Sequence, residues 1–243
     1  MKNAIKFVLQ KLMGYEFYLY IFSIFKIKTL AKDSNEKDFF YFLSLLKNEG
    51  KTIIDIGANI GIMTYHLAKK FPNCTVIAIE PIPSNFSILS RIKVNFRLQN
   101  VELLSLALSN KKETVKMVLP TNAGTKMQGL SHIKHPSIVD WNVGDEFEVM
   151  ADTIDNLFSS ERIQGIKLDV ENFEYFVLQG GIKVIEANRP IIYVELWDNE
   201  NRTNCFNLLK SLNYNCFVVE NNHHTPFDSA IHKHQNFLFL PTH

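Results

Sequence analysis

The sequence predicts an α/β protein with a doubly wound, mostly parallel sheet flanked by helices, and three observations carry that expectation. Short apolar runs such as "TIIDI" and "TVIAIE" alternate with helical patterns from about residue 35 onwards. The runs are continuously apolar rather than alternating, as strands are when helices cover both faces of their sheet. Acidic residues stand at or near the ends of four of them, Asp55, Glu80, Asp169 and Glu195, where open α/β sheets bind their ligands.

The amino terminus starts with the basic Lys2 and Lys6 and runs into the apolar "FYLYIFSIF", bracketed by Glu16 and Lys26. That stretch is shorter than the roughly 20 residues of a spanning helix, and no small-residue cleavage site is evident. Two amphipathic helices are expected instead. They pack on the domain, roof a pocket, or make a peripheral contact with a membrane surface. The expected division is a helical cap over residues 1–50 and one α/β domain over 51–243.

Ser34 is expected to cap a helix from about Asn35 that Gly50 closes. The strand "TIIDI" follows, then a helix from Ile60 that stops before Pro72, the strand "TVIAIE", a helix with Pro83 in its first turn, and the strand "VELLSLAL". After Asn110 the rhythm changes. "TVKMVLP" and "EFEVMA" read as short extra strands, so an insertion at about 112–150 is expected over one edge. The beat resumes with "GIKLDV", a helix from Asn172 to about Ala187, "PIIYVELW", a helix from Thr203 to Leu212, "YNCFVVE" and "NFLFLP". No helical pattern separates the last two strands, which are therefore expected to pair antiparallel across the loop "NNHHTPFDSAIHKHQ".

With 243 residues, 46% of them hydrophobic, the chain can bury a sizeable core in one domain. Its net charge of +1 supplies no basic excess for nucleic acid, so a small-molecule or glycan substrate is the expected partner. Cys74, Cys205 and Cys216 are odd in number and scattered, which reads as buried thiols in a reducing, cytoplasmic setting.

The stretch "DIGANIG", Asp55 to Gly61, joins a strand to a helix. Gly57 allows a sharp turn and a close ligand, and Gly61 allows tight packing of strand and helix. The following helix presents free N–H groups to a negative group. Glu80 ends the next strand, where a carboxylate accepts hydrogen bonds from both hydroxyls of a ribose. Asp55 favours a ligand part that is positive or donates. S-adenosyl-L-methionine combines these features. A dinucleotide fits less well, because the G-x-G-x-x-G spacing is absent and an acid beside the turn repels pyrophosphate.

The segments "DIGANIGIMT", "AIEPIPSNFSIL", "ALSN", "DTIDNL", "IKLDVENFEYFVLQGG" and "RPIIYVEL" resemble, in order and spacing, the FkbM-type S-adenosylmethionine-dependent methyltransferases. The resemblance covers about Thr52 to Leu196. It implies a class I methyltransferase fold, a seven-stranded sheet whose last strand is antiparallel, and O-methylation, often of a sugar hydroxyl. It also implies cofactor contacts at Asp55, Gly57, Ala58, Asn59, Gly61 and Glu80, with the segment around Ala107. Where the family usually has glycine after "DVE", this chain has Asn172, a residue that tolerates left-handed backbone.

In "KLDVE", Lys167, Asp169 and Glu171 alternate and point to one side if the strand persists. Asp169 is the first candidate for general base or substrate anchor and Glu171 the second, with Lys167 as charge partner. Two other readings stay open: a structural Lys167–Asp169 ion pair, and a divalent ion on Asp169, Glu171 and Glu195. His132, in "GLSHIKHPS", is a further candidate base. His223, His224, His232 and His234 read as a surface cluster, and Trp141 and Trp197 either stack on a sugar ring or, as aromatics near strand ends more often do, pack. Alternatives of other classes are a nicotinamide-dependent oxidoreductase and a catalytically silent cofactor-binding protein.

Overall fold

A computed structural model describes residues 2–242. The chain opens with α1 (Lys2–Met13) and α2 (Tyr15–Thr29), hinged at Gly14, which takes φ 78°. Two short 3-10 turns lead into α3 (Lys37–Leu45). That helix starts later and ends earlier than the sequence implies. The capping side chain is Asp33, which accepts the N–H of Asn35 at 3.2 Å, not Ser34. Leu46 is already extended, well before Gly50.

Next come β1 (Thr52–Ile56), α4 (Ile62–Lys70), β2 (Val76–Ile79), α5 (Pro83–Asn95) and β3 (Val101–Leu104). The expected single strand "VELLSLAL" breaks after Leu104, and its end, β4 (Ala107–Leu108), leaves for a second sheet. The insertion supplies β5 (Glu113–Asn122), β6 (Thr125–Lys126), β7 (His132–Ile133) and β8 (Gly144–Asp152). After α6 (Ile154–Phe158) and β9 (Ile163–Leu168) the expected helix from Asn172 divides into α7 (Glu174–Gln179) and α8 (Ile182–Asn188). The break falls at Gly180, where a Cβ would lie 2.1 Å from the Ser109 carbonyl oxygen. The chain closes with β10 (Ile191–Glu195), α9 (Glu200–Ser211), β11 (Tyr214–Glu220), β12 (His223–Pro226) and β13 (Asn236–Pro241).

Among the described residues the main sheet has eight strands in the order β12-β11-β13-β10-β9-β1-β2-β3. The β10–β9–β1–β2–β3 run is parallel, and β13 slots antiparallel between β10 and β11. The seven-strand expectation is one short. The extra strand is β12, read from sequence as loop; it pairs antiparallel with β11 at the edge, where its Pro226 is tolerated. His224 anchors it, edge-on to Phe217 and 2.7 Å from the Tyr41 hydroxyl. The histidines are not all at the surface, since His232 is buried and accepts the Asp228 N–H at 2.9 Å.

Side-chain alternation sorts the core onto two faces of this sheet. Ile54, Ile56, Ile166, Leu168, Ile192 and Val194 face one side with the insertion, α7 and α8. Ile53, Val76, Ala78 and Tyr193 face the other, against Phe39 and Phe42 of α3 and Leu67 of α4. A third cluster seats α2 on Ile60 and on Ile88 and Ile92 of α5. Among the described residues no helix is long and apolar enough to cross a membrane. The insertion strands form their own sheet, β4-β8-β5-β6 with β7 on β5, and it stands over the carboxyl ends of the parallel strands.

Candidate functional site

At the end of β1 the chain turns through Gly57, at φ 74°, and passes Asn59, at φ 49°, before α4. The Gly57 and Ala58 N–H groups both donate to the Ile79 carbonyl of β2, at 3.0 and 2.9 Å. A side chain at position 57 would meet the Asp169 carbonyl oxygen at 1.8 Å, so glycine is required by the neighbouring chain as well as by φ. The Asn59 N–H donates to one Glu80 carboxylate oxygen at 2.9 Å. The Ile82 N–H and the Asn85 amide donate to the other at 3.0 and 3.3 Å. Burial nevertheless pushes the Glu80 carboxyl up to about 7.

Gly57, Asn59, Glu80, Ala107, Asp169 and Glu171 line one cavity of about 250 Å³ beneath the insertion, together with Glu195. Its far wall is apolar, from Leu106, Met117 and Ile133. A second cavity of about 460 Å³ lies on the other side of the glycine turn, under α2, and shares Gly57, Asn59, Asp169 and Glu195 with the first; Ala58 lines this one.

Two of the expected cofactor contacts lie elsewhere. Asp55 is fully buried, because alternation along β1 points it at α4, where the Thr64 hydroxyl donates to it at 2.6 Å. It lines neither cavity; it lies 3.4 Å from Lys167. Gly61 packs helix on helix rather than strand on helix. Its missing side chain makes room for Leu89 of α5, whose Cδ1 would lie 2.8 Å from a Cβ.

Lys167 donates to the Gly57 carbonyl at 2.8 Å and stands between Asp55 and Asp169, 3.4 and 3.5 Å away. Burial by itself would depress the lysine, but the carboxylates of Asp169 and Asp55 outweigh it and hold its pKa above the ordinary value. The Lys167 ammonium therefore ties the glycine turn to the end of β9. The expected alternation stops at Leu168, where β9 ends, and Glu171 lies in a turn at φ 54°. Asn172 follows at φ 72°, the left-handed geometry that glycine adopts freely. Glu171 still reaches the cavity. Burial raises its pKa and that of Glu195, and the nearby Asp169 charge raises both further.

Glu174 escaped the sequence reading. It is buried, accepts from the Val170 and Asn172 N–H groups at 3.2 Å each and from the Asn201 amide at 2.6 Å, and so fixes the turn that carries Glu171. Its only sequence signal is an acid in the first turn of a short helix. Asn85 also went unnoticed, since the sequence does not show that α5 turns it back toward Glu80. His132 does not line the cavity beside Glu80. It is buried, its Nδ1 pairs with the Leu130 carbonyl at 2.8 Å and its Nε2 with Asn142 at 3.3 Å, and it lines a separate cavity that Glu171 also borders. Among the described residues no group of three or more His, Cys, Asp or Glu side chains is arranged to hold a metal ion.

The donor set fits S-adenosylmethionine. Glu80 and the buried Asn85 Oδ1, which has no donor among the described residues, are acceptors suited to the two ribose hydroxyls. The Asn59 Oδ1 is likewise buried without a donor and suits an ammonium group. The apolar wall by Ala107 suits a flat base, and Asp169 suits a sulfonium.

Comparison with known proteins agrees. The family model for the methyltransferase FkbM domain matches residues 55–233. Methyltransferase sdnD of Sordaria araneosa is 27% identical over 174 residues, covering 60% of this chain and 66% of that protein. Methyltransferase 1 of Beauveria bassiana (strain ARSEF 2860) is 26% identical over 142 residues, covering 53% and 57%. The matched part thus spans less than two thirds of either relative. Among solved structures, methyltransferase FkbM from Methylobacillus flagellatus KT superposes with a TM-score of 0.56 at 15% identity, over 98% of this chain and 59% of that one. A SAM-dependent O-methyltransferase from Thermotoga maritima gives 0.51 at 12%, over 88% and 70%. Identities this low speak to the fold. The chain belongs to the FkbM methyltransferase family and has the fold of S-adenosylmethionine-dependent methyltransferases.

Proposed function

We propose that this protein transfers a methyl group from S-adenosylmethionine to a hydroxyl of a sugar, in a glycan or a natural product. One observation carries the reading: the Glu80 carboxyl at the end of β2 and three further acids, Asp169, Glu171 and Glu195, open on the same cavity. The nicotinamide alternative falls with the family assignment. Gly57, Asn59, Glu80, Asn85 and Ala107 hold the cofactor, and Asp55 acts behind them by keeping Lys167 in place. When bound, S-adenosylmethionine supplies a methyl group on a sulfonium, open to in-line attack by an oxygen. The protein's part is to align that oxygen and receive its proton.

Asp169 is about a third exposed, faces the cavity and stands beside the Lys167 charge; it takes the proton. Glu171 and Glu195 hold their protons more tightly than free carboxyls and hydrogen-bond neighbouring hydroxyls of the acceptor. Isothermal titration with S-adenosylhomocysteine, and transfer of labelled methyl to a glycan panel, test this. Glu80→Ala loses roughly 10- to 100-fold in affinity, as expected for charge-assisted hydrogen bonds. Asp169→Asn keeps affinity and loses about 10²-fold or more in turnover. Unchanged turnover in Asp169→Asn removes it from the base role, and transfer to no hydroxyl on the panel overturns the assignment.

A further inference from the structure

Beyond Glu171 lies a separate cavity of about 190 Å³, between the insertion and the segment after β10. The chain has two tryptophans, and both line it. Trp141 comes from the β7–β8 connection, 40% exposed and at φ 60°; Trp197 follows β10. Among the described residues neither indole stacks on another ring or on a cation. Asp140, Asn172 and Asn199 add polar edges, and Glu171 lines both this cavity and the one beside Glu80.

Sheet order gives the two cavities their relation. Glu80 follows β2 and the glycine turn follows β1; the next strands outward are β9 and then β10, which deliver Glu171 and Trp197. A ligand at Glu80 therefore has its reacting end toward Glu171, with the indole-lined cavity beyond it.

We propose that this cavity is the acceptor subsite, in which Trp141 and Trp197 stack on the apolar face of a pyranose ring while Glu171 meets its hydroxyl-bearing edge. Indole faces bury sugar C–H groups, and the amides and carboxylates around them take the hydroxyls. The proposal rests on the sugar O-methyltransferase reading.

Because the chain has no other tryptophan, its emission reports this cavity directly. The full chain, with S-adenosylhomocysteine present, is titrated with methyl glycosides of hexoses and 6-deoxyhexoses. A saturable change in emission is expected for those glycosides that are methylated. Trp141→Ala, on an exposed loop, raises the acceptor KM about tenfold, equivalent to about 1.4 kcal/mol. It leaves kcat and cofactor affinity within about twofold, and Trp141→Phe restores most of the loss. If a glycoside is methylated yet leaves emission unchanged, and its KM is unmoved in Trp141→Ala and Trp197→Phe, the subsite is wrong while the function stands. If no glycoside is methylated but another acceptor is, both readings fall.

A second inference stands on the outer faces of the first two helices. α1 exposes Val8 and Leu12, and α2 exposes Phe17, Ile21 and Phe25, each set at intervals of four residues and so on one helical face. Leu12 is 78% exposed and Phe25 59%. These faces point away from the body, since α2 packs through Leu19 and Ile27 on α5, and Gln10 of α1 bonds the Lys126 backbone of the insertion. Residues 2–29 carry five lysines and one glutamate; Lys26 pairs with Asp33 at 2.9 Å, and the others leave a net +3 within a chain of net +1.

We infer that this face lies on an anionic lipid surface, its apolar stripe in the headgroup boundary and its lysines on the phosphates. Co-sedimentation of the full chain with phosphatidylcholine vesicles containing phosphatidylglycerol is expected, and weaker recovery with phosphatidylcholine alone or in high salt. Leu12→Ser with Phe25→Ser abolishes it without lowering the melting temperature. Equal recovery of that double variant overturns the inference. So does a concentration-dependent dimer, abolished by the same substitutions, in a chain that does not sediment with vesicles.

Discussion

Gly57 meets two demands at once, a left-handed φ of 74° and an approach of the Asp169 carbonyl that would leave 1.8 Å to a Cβ. Gly57→Ala should destabilise the fold by roughly 2–4 kcal/mol. Gly129, which also lines the cavity but has open space where a Cβ would go, should tolerate alanine within about 0.5 kcal/mol. Chemical denaturation of the two variants checks the pair, and similar losses in both would contradict it. The role of Gly57 was legible in sequence because a strand-to-helix turn needs it locally. That of Asp55 was not. Its direction follows from one step of alternation, and only the packing of α4 and Lys167 against it reveals that a ligand cannot reach it.

At the scale of elements, the helical pattern from Asn172 to Ala187 was readable, and its interruption was not. The Gly180–Gly181 pair breaks it because Ser109 and Ile154 approach too closely for side chains. α8 then needs a new amino-terminal cap, and Asp155, from α6, supplies it: its carboxylate accepts the Val184 and Lys183 N–H groups at 2.9 and 3.3 Å. Asp155→Ala should therefore cost about 1 kcal/mol of stability, measurable as a lower denaturation midpoint with turnover per folded molecule preserved. The strand β12 was missed for a similar reason. "HHTP" has little strand character of its own and becomes a strand because the free edge of β11 offers hydrogen-bond partners.

The molecule as a whole concentrates buried acid on one rim. Burial lifts Glu80 and Glu174 from the ordinary glutamate value to about 7, and Glu171 and Glu195 are raised as well. A carboxyl raised on folding binds its proton more tightly in the native state, so stability is fullest below the unfolded value and falls as pH rises through the folded one. Asp33, Glu146 and Asp152 shift the other way, but lose their contribution only below about pH 4–5. The ligand-free protein should thus melt at a higher temperature near pH 5 than near pH 8. Calorimetry across that range tests it, and a melting temperature that climbs with pH would show that these acids are not buried in the ligand-free state.

The alternation of strands and helices outside the breaks at Leu104 and Gly180 and the edge strand β12, the doubly wound class, the turn at Gly57 and the place of Glu80 are all readable along the chain, because periodicity, caps and glycine geometry act over a few residues. Which acids meet depends on long-range packing. β1 and β9 are neighbours in the sheet although far apart in the chain, and the Lys167 contact to Ile56 spans 111 residues. Likewise the two tryptophans share a cavity only because the insertion folds back over the ends of β9 and β10. Such juxtapositions follow from burying apolar faces throughout the molecule, a global requirement that no local stretch of sequence encodes.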